Sequence, residues 1–197
     1  MLKRYILTGA PGAGKTAVGL ALRRRGYELV PEAATDVIAV EQTRGVDEPW
    51  DSDDFVDKIV LLQRQRQAQL PAGEVAVQIF DRSPLCTLAL ARYLQRPVTQ
   101  LLAQEVARVV EEQVYERDVF LVRPLGFVAP TAARRISYQD SLHFEAVHEA
   151  VYREHNFHLI DVPADEVDRR AAVIAGHLHP SRRRTMRRTA RRPELGR

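Results

Sequence analysis

Gly9-Ala10-Pro11-Gly12-Ala13-Gly14-Lys15-Thr16 reads G-x-x-x-x-G-K-T, the pattern of a phosphate-binding P-loop. The flanks agree with it. Tyr5-Ile6-Leu7 before it is a short apolar strand, and Ala17 to Leu22 after it reads as a helix. Arg23-Arg24-Arg25 and then Gly26 place cations in the last turn and a glycine where the chain must leave the helix. A strand, a glycine-rich loop and a helix N-terminus form an anion site. Backbone N–H groups turn toward the phosphates, and the helix dipole favours negative charge. The nucleotide-binding residues expected from this motif are Gly9, Ala10, Pro11, Gly12, Ala13, Gly14, Lys15, Thr16 and Ala17. Lys15 is expected to reach the β- and γ-phosphates and the Thr16 hydroxyl to ligate Mg²⁺. The expected cofactors are ATP and Mg²⁺. No Asn-Lys-x-Asp guanine signature follows, which favours ATP over GTP.

Working outward, the chain alternates short apolar runs with helical patterns. Strands are expected at Arg4–Thr8, Glu28–Pro31, Val75–Asp81, Val119–Val122 and His158–Val162. Such alternation predicts an α/β fold, a mostly parallel sheet with helices on both faces. Asp51-Ser52-Asp53-Asp54 is expected to cap a long helix with Phe55, Ile59 and Leu62 on its apolar stripe. Ser83-Pro84 opens a helix over Leu85–Leu94, and Pro97 one that runs to about Tyr115. Asp140 is expected to cap a helix through His155, with Asn156 as its stop. Pro163 to Glu166 opens the last helix, to about Leu178.

The 197 residues carry a formal charge of +3, but that charge is split. Residues 181–197 hold eight arginines against one glutamate, a net +7, so residues 1–180 carry −4. The expected organisation is a nucleotide-binding domain over 1–180 and a basic, disordered tail over 181–197. The tail suits contact with nucleic acid or anionic lipid, or else is a solvated terminus. No apolar run approaches the roughly 18–20 residues of a membrane helix, and no leader is expected before a strand that starts by residue 4. The single cysteine, Cys86, reads as a core residue, and a reducing, cytoplasmic setting is expected.

Asp81 ends an apolar strand, which is where a Walker-B aspartate holds Mg²⁺, so Thr16 and Asp81 form the expected metal pair. Motor ATPases commonly follow that aspartate with a glutamate that activates water. Here Arg82 follows, a cation suited to phosphate or an anionic acceptor. Glu32 follows the second strand, on the rim where ligands bind in an open α/β sheet, and is the candidate base. Arg134-Arg135 lies in a long loop, Arg123 to Gln139, that reads as a lid; both arginines are expected to close on the γ-phosphate. The expected catalytic residues are thus Lys15, Glu32, Asp81, Arg82, Arg134 and Arg135. Trp50, in a polar loop, either lines a substrate pocket or packs at the domain edge. His143 and His148, five apart, are off one helical face. Charge and capping explain them, with His177 and His179, better than a metal site.

Glu32-Ala33-Ala34-Thr35-Asp36-Val37-Ile38, Phe80-Asp81-Arg82-Ser83-Pro84, Arg123-Pro124-Leu125-Gly126-Phe127, Arg134-Arg135-Ile136-Ser137-Tyr138 and Phe157 to Pro163 resemble the NadR-like AAA-type ATPase domain family. The resemblance spans about residues 4–178. It implies a P-loop kinase-like fold, with a parallel five-stranded sheet and a closing lid. The family's namesake kinase phosphorylates ribosylnicotinamide; other members bind nucleotides, and one branch binds GTP and phosphatidic acid. Asp81-Arg82-Ser83 is also similar to the acidic-Arg-Ser run of deoxyribonucleoside kinases. That likeness implies phosphate contact for Arg82 and the base for Glu32. The expectation is an ATP- and Mg²⁺-dependent phosphotransferase acting on a small hydroxyl-bearing molecule such as a nucleoside. The alternative is an ATP- or GTP-binding switch, or an AAA-family ATPase of low turnover that signals to a partner or lipid.

Overall fold

The computed structural model describes residues 2–71, 73, 75–126 and 136–179. In chain order the elements are β1 (Lys3–Thr8), α1 (Lys15–Arg24), β2 (Glu28–Val30), α2 (Ala33–Thr43), a 3₁₀ turn (Pro49–Asp51), α3 (Phe55–Ala68) and β3 (Val77–Asp81). They continue with α4 (Pro84–Tyr93), α5 (Gln100–Glu111), β4 (Asp118–Val122), α6 (Tyr138–Glu154), β5 (His158–Val162) and α7 (Val167–Leu178). The sheet order is β2-β3-β1-β4-β5. Every pairing is parallel, with Ile6 beside both Phe80 and Val119. The fold is therefore the expected α/β arrangement.

Strand alternation divides the core. Tyr5, Leu7, Val77, Ile79, Phe120 and Val122 point to a layer closed by Val18 and Leu22 of α1 and by Ala171 and Ile174 of α7. Ile6, Phe80 and Val119 point to the opposite layer, filled from α3, α4, α5 and α6 by Val60, Leu85, Leu102 and Tyr152 among others. A sheet covered on both faces needs apolar side chains at successive positions, which is why these strands read as continuous apolar runs.

Several helix starts differ from expectation. Pro49–Asp51 forms its own 3₁₀ turn, and the Asp54 side chain makes no cap bond to α3. Its carboxylate is taken instead by Ser52 Oγ at 2.5 Å and by Lys58 at 2.9 Å. Helix α5 starts at Gln100, not Pro97, because the Thr99 hydroxyl accepts from Leu102 N at 3.1 Å. It ends at Glu111, two residues before Gln113 turns left-handed. Ser137, not Asp140, caps α6: its Oγ accepts from Asp140 N at 3.1 Å, and Asp140 sits in the first turn. Asn156 ends α6 in the left-handed region as expected (φ 60°). The tail over 181–197, with Arg134 and Arg135 of the expected lid, lies outside the described residues. Among the described residues, no helix is long and apolar enough to cross a membrane.

Candidate functional site

The glycine-rich loop joins β1 to α1 at the carboxyl edge of the sheet, and its geometry depends on glycine at two points. Gly9 has φ 136°, and a Cβ there would lie 2.3 Å from the Val122 carbonyl oxygen of β4. Gly14 precedes α1 with φ 86°, in the left-handed region. Lys15 is buried and folds back over the loop, where Nζ donates to Gly9 O at 3.1 Å and to Ala10 O at 2.9 Å. Burial, aided by the nearby Arg82 charge, lowers its pKa to about 8.

Two residues outside the motif brace this loop. Glu145 of α6 accepts from Ala10 N at 3.2 Å through one carboxylate oxygen and from Arg123 at 3.0 Å through the other. Arg170 of α7 is fully buried and donates to Ala13 O at 2.7 Å and to Arg123 O at 2.6 Å. Neither was singled out in the sequence, since each lies more than a hundred residues from the loop it touches.

The expected metal pair is brought together. Thr16 Oγ1 donates to Asp81 Oδ2 at 3.3 Å. The other Asp81 oxygen is buried and has no hydrogen-bond partner among the described residues. Burial pushes the Asp81 carboxyl up to about 6, and the Glu32 carboxylate adds to that push against Lys15 and Arg82. A hydroxyl beside an under-coordinated carboxylate is an oxygen-donor set that suits a hard divalent cation retaining several waters.

Arg82 continues the β3–β1 pairing through its N–H to Leu7 O (3.0 Å), then turns with φ 73°. That turn aims the guanidinium across the edge. Nε donates to Glu32 Oε1 at 2.5 Å, and NH1 meets His148 Nε2 at 2.9 Å. Glu32 also accepts from Thr35 at 3.0 Å. Burial alone would push the Glu32 carboxyl up, but Arg82 and Lys15 outweigh it and hold it below the usual value. His148 is fully buried, which corrects the reading of this histidine through charge or capping. Burial, with Arg82 beside it, lowers its pKa to about 3, so the ring is neutral. No local pattern marks His148, because its partner is 66 residues away.

A cavity of about 560 Å³ runs from Pro11, Gly12 and Gly14 of the loop and the first turn of α1 past Glu32 and Arg82 to Trp50, Phe55, Gln63, Tyr93 and Phe144. Trp50 therefore lines the pocket. Gln63, also unmarked in the sequence, faces the cavity with its Oε1 accepting from Thr87 at 3.0 Å.

The fold is that of deoxyadenosine kinase from M. mycoides. The structure with dCMP and a flexible dCDP matches with TM-score 0.59 at 16% identity, covering 90% of this chain and 98% of that one. The dCTP-bound form matches with TM-score 0.59 at 16% identity, over 91% and 100% of the two chains. The dATP-bound form gives TM-score 0.55 at 17% identity, over 90% and 99%. At such identities the likeness concerns the fold alone. No curated protein matches the sequence. A family model described as an AAA domain matches residues 4–170, which takes in the P-loop, both carboxylates, Arg82, His148 and Arg170. The chain belongs to the AAA_28 family of AAA domains.

Proposed function

We propose that this protein is an ATP- and Mg²⁺-dependent kinase that phosphorylates a hydroxyl of a nucleoside-like small molecule. The observation that carries the reading is one continuous cavity bordered at one end by the P-loop and along its wall by the Glu32–Arg82 pair. Donor and acceptor would share one enclosure, as direct phosphoryl transfer requires. Lys15 and the loop amides would hold the β- and γ-phosphates. Thr16 and Asp81 would hold Mg²⁺, which neutralises the phosphate charge when bound. Arg82 would stabilise the migrating phosphoryl group, and Arg134 and Arg135 are proposed to add charge from the loop before α6.

Glu32 is proposed as the base. It stays ionised near neutral pH, so it can accept the hydroxyl proton. The aromatic walls from Trp50, Phe55, Tyr93 and Phe144 suit a flat heterocycle, and the Gln63 amide offers it a polar edge. The deoxynucleotides named for the M. mycoides kinase support a nucleoside as acceptor, and so does the resemblance to NadR-like domains. The basic tail over 181–197 is proposed as a separate polyanion-binding segment, outside the catalytic unit 1–180.

The test is ADP release from MgATP with each common ribo- and deoxyribonucleoside and with ribosylnicotinamide. Acceptor-dependent turnover, with slow hydrolysis in its absence, is the expected result. MgATP binding without turnover on any acceptor would move the reading to a nucleotide-gated switch.

A further inference from the structure

Arg82 is held from two sides by groups remote in sequence. Glu32, just after β2, takes Nε at 2.5 Å, and His148, in the middle of α6, meets NH1 through Nε2 at 2.9 Å. The partners decide the tautomer. Nδ1 lies 2.8 Å from the Phe144 carbonyl, which can only accept, so Nδ1 carries the proton. A guanidinium can only donate, so Nε2 is bare and accepts. The backbone adds a second observation. Arg82 sits at φ 73°, a conformation that costs a non-glycine residue free energy and persists where its surroundings over-determine it. A purely packing role for His148 against Phe144 (ring centroids 4.3 Å apart) would be met by an apolar side chain. Packing leaves unexplained why an imidazole acceptor faces a partly buried cation.

The geometry points to His148 as a positioning residue for phosphoryl transfer: through Nε2 it fixes the Arg82 guanidinium against Glu32, and through α6 it locks that guanidinium at a set distance from the P-loop. The second half rests on Glu145, three residues earlier on the same helix, which accepts from Ala10 N of the loop at 3.2 Å. One helix face thus grips both the phosphate loop and the acceptor-side cation. The charged groups that face the ring are Arg82, Lys15 and Glu145. The inference rests on the kinase reading above only for its effect on transfer.

The experiment uses the full chain with MgADP, as wild type, His148→Gln and His148→Leu. In long-range ¹⁵N spectra of the histidine rings at pH 7, His148 is expected to show a protonated Nδ1 and a bare Nε2. The Arg82 Nη–H signals, one of which faces His148 Nε2, are expected to be held from exchange and rotation in wild type and in His148→Gln, whose amide oxygen can accept, and to be averaged in His148→Leu. Transfer to the nucleoside that gives most ADP is expected to fall about 10–100-fold in kcat for His148→Leu, the scale of one charge-assisted hydrogen bond. The KM for MgATP should stay near wild type, and His148→Gln should recover most of the loss. A protonated Nε2, or an Arg82 signal indifferent to His148→Leu, overturns the inference. If both variants fail to fold, the wild-type ring spectrum decides. If no nucleoside is phosphorylated, the kinase reading fails, while the ring and guanidinium signals still decide whether His148 positions Arg82.

Discussion

The phosphate loop and the acceptor-side cluster sit on neighbouring strand ends, yet they are built by opposite means. The loop is eight consecutive residues, and its shape comes from backbone: glycines at positive φ and carbonyls that receive the Lys15 ammonium. The cluster is three side chains from positions 32, 82 and 148, and its shape comes from paired charge and one tautomer. A backbone site is specified within one stretch of chain. A side-chain site is specified by the topology that brings strand ends and a helix together. The two should therefore break differently, the first by added volume and the second by removed charge.

The largest effect is expected at Gly9. A methyl group there meets a backbone carbonyl at 2.3 Å, and neither β1 nor β4 can move aside without opening the sheet. Gly9→Ala combines overpacking with a positive φ, so it should cost about 3 kcal/mol or more in denaturant melts and abolish the MgADP thermal shift. Gly45→Ala is the control. It shares a positive φ but has open space around it, so only about 1 kcal/mol should be lost and the thermal shift kept. Equal behaviour of the two variants would mean that the loop is not set by close backbone approach.

On the other side, Glu32→Gln should leave the loop intact and reduce transfer. A positioned base is worth about 10²–10⁴ in rate. Glu32 belongs near the lower end, because its pairing with Arg82 weakens it as a base. A loss of about 10² in kcat with unchanged MgATP affinity is expected from steady-state kinetics. Asp36 is a poor substitute, since its carboxylate is held by Arg66. Full activity in Glu32→Gln would remove the carboxylate from the chemistry altogether.

The same contrast explains what could be read from the sequence. The P-loop, the parallel strands and Asp81 were legible because each is a local pattern whose physics is complete within about ten residues. Arg82 and Glu32 were legible only as candidates, through their place at strand ends. His148, Glu145, Gln63 and Arg170 were not legible. Each is a polar residue on a helix that also carries surface charges, and burial is decided by the element packed on it. Helix starts failed for a related reason. Pro97 looked like a first helical residue, but the nearby Thr99 hydroxyl reached Leu102 N and set the boundary. At α6 the acidic Asp140 looked like the cap, but Ser137 holds that place, with its hydroxyl on both the Asp140 amide and carboxylate.

A pH series sharpens the comparison through His148. Unfolded, the imidazole takes a proton near pH 6.5; folded, only near 3. Between these values the unfolded chain binds more protons, so stability falls as pH drops from about 6.5 toward 3, at up to about 1.4 kcal/mol per pH unit. Asp81 works the other way. Its raised value of about 6 makes the folded state the better proton binder between about 4 and 6. The informative quantity is therefore the difference between wild type and His148→Gln in urea melts from pH 7 to 4. Wild type should lose more stability on acidification, and parallel curves would place His148 in contact with solvent.

The smallest effect is expected at the start of α6, the helix that serves both regions. Ser137 Oγ accepts from Asp140 N at 3.1 Å and donates to the Asp140 carboxylate at 2.6 Å. Ser137→Ala removes the cap and leaves the first-turn N–H groups to water, at a cost of about 1 kcal/mol. Fraying falls off within the first turn, whereas Glu145 and His148 lie two and three turns along. Both are pinned by their own partners, Ala10 N and Arg82. Melting should therefore show the loss, while MgADP affinity and transfer stay within about twofold of wild type. If Ser137→Ala instead lowers transfer as strongly as His148→Leu, the cluster depends on the whole helix and not on one imidazole. The division between a backbone-built loop and a side-chain-built acceptor site would then have to include the cap.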